Sequence, residues 1–403
     1  MRCLRCKDTM LVLCFAAFSL ILWLLPTGFD DRVDSSAIRR KGIVVEVDDS
    51  GLQRHSIIHV GAQHLIVRVE GDPLPGIPAD GQVAVVNQLL GRLDMDKLFS
   101  VGDAALLVIT RNPDGSVNNV VAQDHYRVGL EVTLLVCFGL LLLAFGGWTG
   151  AKAMLSFLFT GLVLWKVFIP GLLMGLSPVL LAFGIVAVLT GGIIFLVAGP
   201  GRLGTVAFLG AMLGVGSSTL LALWAAKAFH LSGAVMPFAE TLLYSGYGHL
   251  DITGIYVAAV FVAASGAVMD LAMDVGAAQY EVVLRNPGIS RREALLSGLR
   301  VGRAVVGTMT TTLLLAYSGG YMTLLMAFMA QGVPLLNLFN MLYVAAEVVK
   351  TLVGSFGLVL VAPFTAIVGA VLYTGHVPPV TEETVAAQSC VSRPETVTQP
   401  QYL

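Results

Sequence analysis

From Val128 to Tyr373 the chain is a succession of apolar runs separated by short polar joints, and no other feature limits its folding so strongly. The runs fall at about 128–147, 154–173, 178–198, 203–226, 252–276, 303–318, 320–336 and 352–374. Each is near the roughly 20 residues that an α-helix needs to cross the hydrocarbon core of a bilayer. Backbone groups in lipid must be satisfied within their own segment, so runs of this length predict spanning helices. Pro170, Pro178, Pro334 and Pro363 predict kinks or ends. Charged residues make up only 12% of the chain, against about one-quarter in soluble domains. Much of the surface must therefore face something other than water, and the lipid bilayer is the expected partner. A net charge of −2 gives no electrostatic footprint for nucleic acid.

The 44 glycines fit close helix packing, because small residues let backbones approach where lipid removes the hydrophobic drive to associate. Gly210, Gly214 and Ser218 form one small-residue face, and Gly266, Asp270 and Asp274 share another.

Two segments precede this region. Arg2, Arg5 and Lys7 stand before the short apolar run Met10–Leu25, which reads as a start-transfer signal with the N-terminus inside. No A-x-A-like site follows, so residues 1–28 are expected to remain as an anchor; a cleaved signal is the other reading. Residues 38–127 change character, with short alternating runs such as His64–Val69 and Ala104–Ile109 separated by turn signals such as Asp49-Ser50-Gly51 and Pro113-Asp114-Gly115. Period-two strands at regular spacing predict a small antiparallel barrel, OB-like in the narrowest reading, or a sandwich. An anchor running from inside to outside would place this domain outside the cytoplasm.

The basic joints set an expected orientation. Lys152, Arg202 and the loop from Gln279 to Arg303, which carries Arg285, Arg291, Arg292 and Arg300, should lie inside. The multi-span bundle is expected over 128–376. Within it, 331–351 can be an interfacial helix, a re-entrant piece or the start of one long helix. Residues 377–403, rich in Thr, Gln and Pro, read as a disordered tail. Five cysteines include none between residues 38 and 127, so no disulfide framework is expected. Cys3 and Cys6 form a C-x-x-C, either a metal or redox pair or two reduced thiols; no second pair completes a zinc site.

The chemistry sits in polar groups inside apolar runs. Asp270 and Asp274 are four residues apart and so share one helical face. A carboxylate near the bilayer centre costs at least about 2.5 kcal/mol on insertion scales. Two on one face need a cation, a proton, an Arg or a watered cavity; otherwise Asp274 lies at the membrane edge and Asp270 bonds a neighbouring helix. Arg303 can reach the pair if the two helices are adjacent, or can serve as a snorkelling, topology-setting residue. Thr308 and Thr312 lie one turn apart with Thr311 beside them. Their hydroxyls can ligate an ion, or bond their own i−4 carbonyls. Glu347 and Lys350, three residues apart, can pair on one face, either in a solvated turn or toward the bundle interior. No phosphate-binding Gly loop, H-E-x-x-H or nucleophile elbow occurs. Neither an enzyme nor a cofactor is expected, and whether a metal binds stays open.

Gly266-Ala267-Val268-Met269-Asp270, Glu281, Asn286-Pro287, Gly302-Arg303, Gly307-Thr308-Met309-Thr310, Thr312, Asn340, Glu347 and Gly354-Ser355-Phe356-Gly357 together resemble the YibE/F-like family of bacterial membrane proteins. The likeness extends to Val85-Val86-Asn87 and Gly102-Asp103, so that it covers nearly the whole chain. The resemblance implies a multi-pass protein of the bacterial cytoplasmic membrane whose activity is not established. It singles out Asp270, Glu281, Arg303, Thr308, Thr310, Thr312 and Glu347 as matching the family's polar positions. Ala304 and Thr311 stand where many relatives are expected to carry Asp and Asn, and Asp274 where a small or hydroxyl residue is expected. Asp274 would then supply a charge lost from the facing helix.

The expectation is an α-helical polytopic membrane protein with a small N-terminal β-barrel-like domain. Its function is read as cation- or proton-coupled transport. The alternative is a non-transporting assembly or accessory protein whose external domain binds a partner protein.

Overall fold

The computed structural model describes residues 2–32, 36–72, 74–112 and 116–374. The side chains of Cys3 and Cys6, Cys390, the Pro113-Asp114-Gly115 turn and the tail predicted at 377–403 lie outside the described residues. The chain divides into two compact units, one of residues 26–151 and one of residues 1–25 and 152 onward.

In the first unit, alternating apolar residues build β1 (Ala37–Asp48), β2 (Leu52–His55), β3 (Ile58–Val69), β4 (Gln82–Leu90), β5 (Ala104–Arg111) and β6 (Val117–His125). Every pairing is antiparallel. β3 pairs with β1, β2 and β4, β1 also pairs with β5, and β5 pairs with β6. A register shift between Val44 and Glu46 bends β1, so that one strand serves two neighbours. The result is a curled sheet whose ends, β4 and β6, approach each other without a ladder among the described residues, with the connectivity of a small Greek-key, OB-like half-barrel. Its inward faces bury Val44, Leu65, Val67, Val85, Leu107 and Ile109, and Phe99 enters from the segment after β4.

Gln63 is fully buried on the same inward parity as Leu65 and Val67. Its Nε2 donates to Asp49 Oδ1 at 2.8 Å and to the Phe99 carbonyl at 2.9 Å. Its Oε1 accepts from the Phe99 N–H and from Asn87 Nδ2, both at 3.1 Å. Asn87 in turn donates to the Lys97 carbonyl at 2.6 Å. One side chain thus pins the 91–99 segment across the sheet.

The helices are α1 (Arg2–Leu24), α2 (Val128–Val163), α3 (Ile169–Leu173), α4 (Pro178–Ala198), α5 (Arg202–Ala228), α6 (Ala239–Tyr244), α7 (Ile252–Arg285), α8 (Arg291–Ala330), α9 (Leu335–Asn340) and α10 (Leu342–Thr374). Among the described residues, six helical runs are long and apolar enough to cross a membrane: 128–173, α4, α5, α7, α8 and α10. The apolar part of α1, Thr9–Leu24, is shorter.

Eight runs were expected, and the difference lies at two joints. The runs at 128–147 and 154–173 form one helical stretch through a π-turn at Leu164–Phe168, bent where Gly147 takes φ 51° and ψ −123°. Only glycine adopts such a conformation readily. The runs at 303–318 and 320–336 meet inside α8, which bends at Tyr321 instead of ending at Gly319-Gly320. The open segment 331–351 resolves into a turn, the short α9 and the first turns of α10. Pro363 lies inside α10 without ending it.

In the second unit α10 packs on α5, α7 and α8, and α7 also packs on α4 and α5. The small-residue face of α5 makes this possible. Gly210 lies against Thr365, Gly214 against Val361 and Val268, and Ser218 against Gly357. The other predicted face is not used in this way, since nothing lies within 4 Å of the place a Cβ on Gly266 would occupy. Buried Gln279 ties three helices by donating to the Ala294 carbonyl at 2.9 Å and the Ala366 carbonyl at 3.0 Å. In the most apolar stretches of 128–173 and α8 only 6% of residues are buried within the protein. Such continuous apolar surface requires an apolar surrounding, and this chain is a membrane protein.

Candidate functional site

Asp251 starts α7 by accepting the Gly254 N–H at 2.8 Å, and the helix then runs unbroken to Arg285. The i, i+4 spacing brings Asp270 and Asp274 onto one face, and both are exposed on the surface of the unit. They open into a cleft of about 370 Å³ between α4, α7 and α8. The remaining walls are Ile193, Ile194 and Val197 of α4, Met269 and Met273 of α7, and Met309 of α8. Two carboxylates thus stand in an otherwise apolar groove.

α7 and α8 are adjacent, as the short loop predicts, and Val275 lies 3.7 Å from the place of a Cβ on Gly302. Positions 274 and 304 therefore stand at about one level of the two helices. Arg303 is exposed, and among the described residues it forms no ion pair with either carboxylate.

The threonine hydroxyls of α8 between residues 308 and 312 are engaged with their own backbone. Thr308 donates to the Val305 carbonyl at 2.9 Å, Thr310 to Val306 at 2.8 Å, Thr311 to Gly307 at 3.0 Å and Thr312 to Thr308 at 2.9 Å. Glu281 meets Arg285 at 3.7 Å on the exposed last turns of α7. Neither residue belongs to the groove.

Glu347 and Lys350 lie elsewhere, where α7, α8 and α10 meet. Glu347 Oε2 and Lys350 Nζ are 2.6 Å apart, with side chains 30% and 27% exposed. The contact is an ion pair, and Oε2 itself has no solvent access. The Lys350 ammonium lies 5.4 Å from the centre of the Tyr317 ring. Tyr256 donates to the Ala346 carbonyl at 2.7 Å.

Sequence reasoning found the paired charges but not Tyr256, Tyr317 or Gln279. The signal available was only that a Tyr or Gln in an apolar run carries a polar tip needing a partner. Cys14 and Cys137 are free and exposed, and the described residues contain no group of three or more His, Cys, Asp or Glu able to hold a metal.

No curated protein and no solved structure matches the chain. A family model described as YibE/F-like protein matches residues 134–375, which include every helix lining the groove and the Glu347 pair. The match does not extend to the β strands, although the resemblance drawn from the sequence alone reached into them. It takes in well over half of the 403 residues, and the chain belongs to the YibE/F-like family.

Proposed function

We propose that this protein moves a proton or a small cation across the bacterial cytoplasmic membrane by way of the Asp270 groove. The N-terminus and the Arg-bearing ends of α7 and α8, with Arg285, Arg291, Arg292 and Arg300, lie inside and residues 38–127 outside, on the argument of the basic joints. The observation that carries the reading is the pair of carboxylates, Asp270 and Asp274, lining one cleft part-way along a membrane-length helix. Ionisable groups at such depth are expensive and mark ion or proton paths. Asp270 takes the ion or proton and Asp274 sets the local field. Neither a cofactor nor an enzymatic step is invoked.

The test is flux in proteoliposomes. Asp270→Asn should lower proton or cation flux at least about tenfold, and Asp274→Asn less. Parent-like flux in Asp270→Asn ends the reading. The same assay examines the suggested exchange between positions 274 and 304: Ala304→Asp with Asp274→Ser should recover flux that either change alone reduces.

A second reading, a non-transporting accessory protein, is favoured by one observation. Thr308, Thr310 and Thr312 spend their hydroxyls on their own helix. It predicts no flux and a co-purifying partner protein that requires residues 38–127.

A further inference from the structure

The groove carboxylates belong to a wider surface of α7 and α8 that is exposed yet unlike a face made for lipid. Elsewhere in the bundle the outer faces carry large apolar side chains. α5 presents Leu209, Leu213 and Leu220, and α10 presents Leu352, Phe356 and Val359. Between residues 263 and 274 the exposed positions of α7 are instead Ala263, Gly266, Asp270 and Asp274. Those of α8 between residues 303 and 312 are Arg303, Ala304, Gly307, Thr308, Thr311 and Thr312. Over these two stretches neither helix exposes a large apolar side chain. Beyond them α8 changes character, and Leu314 and Leu315 are exposed.

Two coincidences fix the register of these antiparallel helices. Val275 stands against Gly302, and Ala264 and Leu313 both reach the Cβ place of Gly354, at 3.3 and 3.2 Å. Both coincidences have the same offset, so Asp274 is level with Arg303, Asp270 with Gly307 and Gly266 with Thr311. Among the described residues the side chains of Arg303, Asp270 and Asp274 nevertheless form neither a hydrogen bond nor an ion pair. Charges within a spanning helix are expensive toward lipid and are kept where they can pair. Beside them the surface is open, with nothing within 4 Å of the Cβ place of Gly266 or of Gly307. Small residues at such positions let a second backbone approach closely.

We propose that this face of α7 and α8 is the contact for a second copy of the chain, with Arg303 of each copy pairing with Asp274 of the other. Two copies inserted by the same basic joints share one orientation. A two-fold axis along the membrane normal then keeps every residue at its own depth. A self-complementary charged face under such an axis needs opposite charges at one depth, and Arg303 with Asp274 meets that condition. The pair forms twice, and a guanidinium suits a carboxylate through two parallel hydrogen bonds. Asp270, one turn away and level with Gly307, stays in the groove. The contact does not depend on the conduction reading above.

The test uses full-length protein in liposomes, with some copies carrying a donor fluorophore and others an acceptor, at falling protein-to-lipid ratio. The parent should show energy transfer well above that of chance encounters. Arg303→Asp alone, or Asp274→Arg alone, sets like charges together twice in each pair of copies and should weaken association at least about a hundredfold. Mixing Arg303→Asp copies with Asp274→Arg copies restores opposite charges in both pairs and should recover parent-like association. Pairing within one chain could not be rescued by mixing.

Gly307→Leu tests the same face without touching a charge. Its side chain meets open space in its own chain, so the unfolding midpoint should match the parent's. Association should still fall at least about tenfold, because the isobutyl group stands where the second copy packs.

A parent that shows only chance encounters at every ratio overturns the proposal, and so does a different protein chain held on this face in place of a second copy. Association untouched by both Arg303→Asp and Gly307→Leu puts the contact elsewhere and overturns it too. Folded charge variants that fail to recover on mixing overturn the Arg303–Asp274 pairing. Should the charge variants fail to fold, Gly307→Leu decides.

Discussion

Gln63→Ala is expected to destabilise the β unit severely. The side chain satisfies four hydrogen-bonding groups in a site without solvent access. Truncation leaves the Phe99 N–H, the Phe99 carbonyl and Asn87 Nδ2 short of partners and opens a void where the amide stood. Each orphaned group costs about 1–3 kcal/mol. With partial relaxation the total is roughly 3–5 kcal/mol, a large share of the 5–15 kcal/mol that holds a typical domain together. Hydrogen exchange on the full-length protein reads this directly. Peptides from β3, β4 and the 91–99 segment should lose about two to three orders of magnitude of protection, at about 1.4 kcal/mol per factor of ten. Gln63→Glu, which keeps the shape but sets a carboxylate beside Asp49, should lose protection at neutral pH and regain part of it in acid. Protection unchanged in Gln63→Ala would show that the 91–99 segment is held by something other than this amide.

What the sequence could show about Gln63 was its parity. Period two puts it on the face of Leu65 and Val67. Its partners could not be seen, because Asp49 and Phe99 are 14 and 36 residues distant in the chain. The same division runs through the helical unit. Length and hydropathy locate the helices, since lipid demands uninterrupted backbone bonding over a fixed thickness. The joints are less legible. Gly319-Gly320 looks like a break, yet α8 passes through both and bends only at Tyr321. Spacing made the Gly210–Gly214–Ser218 face visible, and the structure uses it against α10. Identical spacing at Gly266, Asp270 and Asp274 instead gives a groove wall, because which helix lies opposite is a tertiary fact. For the site, the i, i+4 carboxylates were plain, and the adjacency of α7 and α8 followed from the short loop. The α4 walls did not, since α4 is far away in sequence. Nor did adjacency of the helices bring Arg303 to either carboxylate.

A severely disruptive change in the helical unit should be Gly214→Leu. A Cβ at position 214 would stand 2.9 Å from Val361 Cβ and 3.0 Å from Val268 Cγ1, so α5 meets α10 and α7 at this one point. Both neighbours are β-branched, held near one rotamer in a helix, and buried at 2% or less. Neither can swing aside, so the helices themselves must separate. Over-packing of this kind costs about 1–3 kcal/mol for a few methylenes in a soluble core. An isobutyl group at a three-helix contact should exceed that range and leave no folded protein after detergent extraction.

Gly214→Ala gives a graded version, in which the same clash is set against the roughly 1 kcal/mol that alanine gains over glycine in a helix. It should lower the unfolding midpoint by a few degrees, at about 2–4 °C per kcal/mol for a unit of this size. Gly216, two residues on, provides the control. The only neighbour within 4 Å of its Cβ position is Phe183 Cε2 at 3.9 Å. Gly216→Ala keeps the propensity gain without the clash and should raise the midpoint. Thermal unfolding followed by tryptophan fluorescence should therefore move in opposite directions for the two alanine variants. If both rise together, position 214 is not where the three helices are held in contact.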